Sequence, residues 1–241
     1  MTNPRRSRLH LTSLTLALVA LTGAVPIAAE ASVSGPSVSS LVNTAKATIA
    51  KESGVHVLVT TKTSSPSTTI VADIGETNGV ETITRGADEV TIRVTSTQAY
   101  LSGNAAGLTT LMGLSTKEQK KVGTDAISMK AGTSPYKSLA SSTTIPVLAN
   151  FLPAVKGTTY STRTVDGHRY YELSWTTKAT ATTSESKTVL TLSSGPAILP
   201  IREFSTSSSG TGTTVFTKWG EHVRAVVPST SQTISYAAVT S

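Results

Sequence analysis

TYSTRTVDGHRYYELSW, residues 159–175, holds two runs rich in Thr, Tyr and Val around the pair Asp166-Gly167. A two-residue Asp-Gly connection supplies the positive φ angles of a type I′ turn, whose twist suits paired antiparallel strands. The spacing therefore predicts a hairpin, Thr159–Val165 with His168–Trp175. The same period-two rhythm runs on both sides of it. Downstream, Lys187–Leu192, Ile198–Thr206, Thr213–Lys218 and Val223–Val227 read as strands, with polar loops at 176–186 and 207–212. Upstream, Val55–Thr60, Ile70–Ile74, Val80–Arg85, Glu89–Thr95 and Gln98–Ser102 read as five short strands on tight turns.

Two stretches break the rhythm. Val38, Leu41, Val42, Ala45 and Ile49 recur at spacings of three and four, which predicts a helix over Ser37–Glu52 with Ser37 as N-cap and Gly54 as its stop. Ala105–Met112, Ser115–Val122, Pro135–Ser141 and Thr144–Leu152 read as short helices. Ser115 and Glu118 stand at capping-box spacing, and Pro146 is tolerable only in a first turn. Ala126–Lys130 reads as a strand between them. The expectation is one α+β domain with about ten antiparallel strands and an interrupting helical segment.

The chain has 241 residues, a formal net charge of +7 and no cysteine, and Ser and Thr make up nearly a third of it. Without a thiol there are no disulfides, thiolate metal sites or cysteine nucleophiles. Residues 1–31 read as a cleavable signal: Arg5, Arg6 and Arg8, an apolar stretch from Leu11 to Ile27, then Ala29-Glu30-Ala31 before Ser32. Thr12, Thr15, Thr22, Gly23 and Pro26 break that stretch, leaving it short of a membrane span. The mature domain is expected over 32–241, extracytoplasmic or secreted. Leu21-Thr22-Gly23-Ala24 has the shape of a lipobox with alanine at the cysteine position, so no acyl anchor is expected. Lys117, Lys120 and Lys121 surround Glu118 on one predicted helix and read as a solvated face, not a nucleic-acid patch.

Catalytic signatures are missing: the sequence holds no Gly-x-Ser-x-Gly elbow, His-Glu-x-x-His, P-loop or dinucleotide fingerprint. His56, His168 and His222 each fall in a predicted strand or turn, and Asp166 serves turn chemistry. Asp73, Glu76, Glu81 and Asp88 are too loosely spaced for a calcium loop. The expected chemistry is binding, with no cofactor, metal or catalytic residue. The predicted strand faces carry Val, Ile, Ala and Thr, with only three Phe and two Trp in the chain. Small β-branched residues fill a broad concavity poorly, and an unfilled apolar space accepts an apolar guest.

Phe216-Thr217-Lys218-Trp219-Gly220-Glu221-His222-Val223-Arg224-Ala225-Val226-Val227-Pro228 resembles the closing segment of the actinobacterial LppX/LprG lipoproteins, through Phe216, Trp219, Gly220, Val223 and Pro228. Leu199-Pro200-Ile201-Arg202, Val165-Asp166-Gly167 and Arg93-Val94 with Ala99-Tyr100-Leu101 are similar to that family too, in the same order over residues 37–228. Lys218, His222, Ala24 and Ile127 depart from its pattern. The resemblance implies a strongly curved antiparallel half-barrel of the LolA/LolB kind with short helices on its concave side. It also implies a carrier for acylated lipid or glycolipid with transient membrane contact. Cavity candidates are Val55, Val57, Val59, Val90, Ile92 and Val94, with Leu108, Leu111, Met112, Leu148, Phe151 and Leu152. Their periodicity marks burial, either in an ordinary core or against a lipid. The alternative is an envelope or secreted protein that uses the same fold to contact protein or glycan.

Overall fold

The computed structural model describes residues 35–63, 66–180 and 183–241. The expected signal segment, 1–31, lies outside these. Ser37 caps α1 (Val38–Ile49), its Oγ accepting from the Ser40 amide at 3.1 Å. The helix ends at Ala50, and Gly54 does not stop it as expected but opens the first strand. Five antiparallel strands follow in a meander: β1 (Gly54–Lys62), β2 (Thr68–Gly75), β3 (Gly79–Arg85), β4 (Asp88–Val94) and β5 (Gln98–Gly103). Then come α2 (Ala105–Thr110), α3 (Thr116–Val122), β6 (Ala126–Lys130) and α4 (Ser134–Ala140). Thr144–Leu152 forms a 3-10 helix, Ile145–Phe151, with Pro146 in its first turn. In α3 the capping box is complete: Ser115 Oγ accepts from the Glu118 amide, and the Glu118 carboxylate accepts from the Ser115 amide at 2.8 Å.

The second half runs β7 (Thr159–Val165), β8 (His168–Thr177), β9 (Ser186–Ser193), β10 (Pro200–Ser207) and β11 (Gly210–Thr217). Asp166 and Gly167 have φ of 50° and 77°, the paired positive angles of the expected type I′ turn. β11 pairs with β1, joining both halves into one open sheet.

The sheet has twelve strands, where about ten are expected. Val223–Val227 is not one of them: no strand forms over 221–229, where Val226 and Val227 stand exposed. Alternation there has no partner ladder to satisfy its backbone groups, and period two alone does not make a strand. Instead the chain runs on to β12 (Thr233–Ser235), parallel to β6, and α5 (Tyr236–Thr240). Three residues carry too little alternation to be legible. Val239 is buried, and Lys121 Nζ donates to the carbonyls of Ala238 and Val239 at 3.2 and 3.3 Å, countering the negative end of α5.

Directly opposed residues of an antiparallel ladder share a face. One such row runs Phe216–Val57–Ala72–Glu81–Ile92–Leu101–Ile127 across β11, β1 and the meander. A second runs Val55–Ile74–Gly79–Val94–Ala99–Met129. Apart from Gly79 and Glu81 these residues are apolar, and they are buried in one core cluster with Leu41 and Ala45 of α1 and Leu148 and Phe151 of the 3-10 helix. The Phe151 ring meets Phe216 edge-on at 5.3 Å, seating the 3-10 helix over β11. Gly79 is glycine for a reason of contact: a Cβ there would collide with the backbone carbonyl of Thr143, which follows α4.

Candidate functional site

All twelve cavity candidates are buried and belong to this one cluster. Val55, Val57, Val59, Val90, Ile92 and Val94 share the covered face of the meander by register. Leu148 and Phe151 come from the 3-10 helix and Leu152 caps its end; Leu108 lies in α2, with Leu111 and Met112 just after it. Val57 and Leu148 are 2% and 0% exposed, so at these positions side chains already fill the interior.

The resemblance segment is architectural. Trp219 stacks on Phe216 at 6.1 Å and its Nε1 donates to the Pro200 carbonyl at 2.8 Å. Lys218 and Gly220 take positive φ, and the Gly220 amide donates to the Gly54 carbonyl. The turn thus ties the end of β11 to the start of β1.

The covered face is apolar only along part of its length. A third row runs Tyr160–Leu173–Leu190–Glu203–Thr214–Val59–Ile70–Ile83–Val90, and beyond it the side chains become hydroxyls: Trp175–Thr188–Ser205–Gly212–Thr61, then Thr177–Ser186–Ser207–Gly210. Here the helices do not fill the face, and a groove of about 270 Å³ opens, lined chiefly by Ser and Thr with Val59 and Glu203.

Two acids sit on this covered face: Glu81, which the sequence offers only as one of four loosely spaced acids, and Glu203, which it does not mark at all. Glu81 lies between Ala72 and Ile92, 6% exposed, with Ser142 Oγ donating to its Oε2 at 3.1 Å. Burial pushes its carboxyl up to about 7, against the opposing pull of that hydrogen bond. Glu203 is 7% exposed, its Oε2 has no hydrogen-bond partner, and burial lifts it to about 7 as well. The signal available was parity: Glu81 is two residues from Ile83 on the inward side of its strand. The loosely spaced acids of the sequence do not converge: Asp73 Oδ1 pairs with His56 Nδ1 at 2.7 Å on the opposite face from Glu81, and Asp88 accepts from Thr110 Oγ1 at 2.6 Å. His168 and His222 are exposed at or beyond strand ends. Among the described residues no three His, Asp or Glu groups converge to hold a metal, and no helix is long and apolar enough to cross a membrane.

No family model and no curated protein matches the sequence. Among solved structures, the chain is similar to lipoprotein LppX of Mycobacterium tuberculosis, at 15% identity and TM-score 0.45, over 78% of this chain and 98% of that one. It is similar to LprF of Mycobacterium bovis at 15% identity and TM-score 0.48, over 79% and 96%. A DUF1329 family protein of Desulfovibrio piger aligns at 8% identity and TM-score 0.31, over 77% and 93%.

Proposed function

We propose that residues 32–241, freed from an N-terminal signal at 1–31, form an exported, non-enzymatic lipid-binding carrier. Acyl chains of a lipid or glycolipid lie between the apolar sheet face and its helical roof, among the twelve candidate residues. One observation carries this reading: two apolar rows of an open sheet, interrupted by Gly79 and Glu81, are covered by α1 and the 3-10 helix through side chains such as Leu41, Ala45, Leu148 and Phe151. A displaced helix keeps its own backbone hydrogen bonds, so opening costs chiefly apolar contacts, with the bridge from Thr144 to Gly75 at the root of the 3-10 helix, and an entering chain replaces the apolar contacts in kind. Each methylene shielded from water contributes about 0.8 kcal/mol, enough over a long chain to offset such a displacement. The resemblance of Phe216–Pro228 to the LppX/LprG lipoproteins supports the same reading.

Native mass spectrometry of the protein purified from membranes that supply diverse lipids is expected to show mass increments matching acyl lipids. A bare mass throughout, with no uptake of a fatty-acyl probe by the delipidated protein, contradicts the proposal. The second reading, contact with protein or glycan on the same fold, is favoured by the hydroxyl-lined groove at the open end of the face.

A further inference from the structure

The groove can be read from its chemistry alone, and the reading stands whether or not acyl chains bind beside it. Its walls come from five strands, β1 and β8 to β11, and the segment before β9, and Glu203 is the one charged side chain among the residues lining it. A phosphate, sulfate or carboxylate ligand would meet no cation there and a buried acid at its floor. A divalent cation needs several oxygen anions, and the groove offers one carboxyl. What it offers in quantity is hydroxyl. Each Ser or Thr side chain both donates and accepts, which matches a ligand whose own groups do the same. The methyls of Thr61, Thr188 and Thr214, with Val59, add apolar patches suited to the C–H faces of a ring.

Glu203 supplies the second, independent observation. It lies over nine-tenths buried at the boundary between the apolar rows and the hydroxyl rows, and its Oε2 accepts from nothing in the protein. A buried acceptor without a donor is costly, and native structures rarely keep one without a use. We propose that this groove is a carbohydrate site in which the Glu203 carboxyl accepts from ligand hydroxyls while Thr188, Ser205 and Thr214 bond the neighbouring ones. At about 270 Å³ the space lies just below the usual range of small-molecule pockets and suits a ring or two, whether from a free saccharide or a glycolipid head group.

The test is binding of the full-length mature protein to a panel of neutral mono- to tetrasaccharides, with glucuronate, sugar phosphates, glucosamine and putrescine as charged controls. An alkyl maltoside below its micelle concentration and a fatty acid complete the panel. Retention of a neutral saccharide, weakened about tenfold or more by Glu203→Gln and several-fold by Thr188→Val, is the expected result. Thermal melts of both variants show whether the fold is kept. If the maltoside binds with that same Glu203 dependence and free sugars do not, the site is one for a lipid-borne head group. Binding of no neutral saccharide or maltoside overturns the proposal, as does preference for putrescine or glucosamine, or binding indifferent to both variants. Fatty acid uptake unaffected by Glu203→Gln reports on the carrier reading alone, so the two can fail separately.

Discussion

Lowering the pH from 8 to 5 is expected to stabilise this protein, against the common trend for proteins with ion-paired carboxylates. Glu81 and Glu203 each carry a folded-state pKa of about 7, set first by burial, against an ordinary value of 4.5. Between those two values the folded chain holds protons that the unfolded chain has released, so stability falls as pH rises through the window. The contribution is fully present below pH 4.5 and lost above 7. A shift of that size corresponds to about 3 kcal/mol per glutamate, or a rise of roughly 10–20 °C in melting temperature for both together. Thermal melts at half-unit pH intervals check it. Glu81→Gln and Glu203→Gln should each flatten the profile by about half, because an amide has no proton to gain. A profile flat between pH 5 and 8, or one rising with pH, would mean that water or an unrecognised donor reaches both carboxyls.

The second large effect concerns the roof. Leu148, fully buried in the 3-10 helix, packs within the cluster that joins α1 to the sheet. Leu148→Ala removes contacts and leaves a void, and such truncations cost about 2–5 kcal/mol. That loss alone is generic. In a carrier the void adjoins the space that acyl chains enter, so dodecanoate or a lysophospholipid should raise the melting temperature of Leu148→Ala by more than that of the unaltered protein. Binding to the folded state stabilises by RT ln(1 + [L]/Kd), which makes the rescue dependent on lipid concentration. A destabilised variant with no lipid-dependent recovery would leave Leu148 an ordinary core residue.

Most of the architecture was legible because local chemistry and tertiary packing agree. Asp166-Gly167 needs positive φ and takes it; Ser115 and Glu118 close their capping box; Ser37 caps α1. The failures have physical causes. Val223–Val227 alternates but has no ladder to join. β12 is three residues long and is held by a parallel pairing to β6 that joins positions more than a hundred residues apart, which no local pattern encodes. Gly54 was read as a helix stop, whereas the close approach of the Glu221 carbonyl is what leaves no room for a Cβ there.

The site was legible in part. Periodicity picked out buried positions, and the strand register places all six valine and isoleucine candidates on one face. It could not tell which rows lie under helices and which lie open, because that depends on where α1 and the 3-10 helix sit. Ser and Thr at inward positions, Thr188, Ser205 and Ser207 among them, alternate like any exposed strand face. Only the joined register shows that they continue the apolar rows as a groove. Glu203 went unnoticed for the same reason, since a single acid in a Thr-rich strand gives no sign of its burial.

The most direct measurement is NMR of the mature protein with labelled Ile, Leu and Val methyls, carrying a lysophospholipid with a ¹³C-enriched acyl chain. Intermolecular NOEs from chain methylenes to Val57, Ile92 and Leu148 are the predicted result. NOEs confined to the exposed Leu58 and Val71 on the opposite face, or none at any lipid concentration, would contradict it.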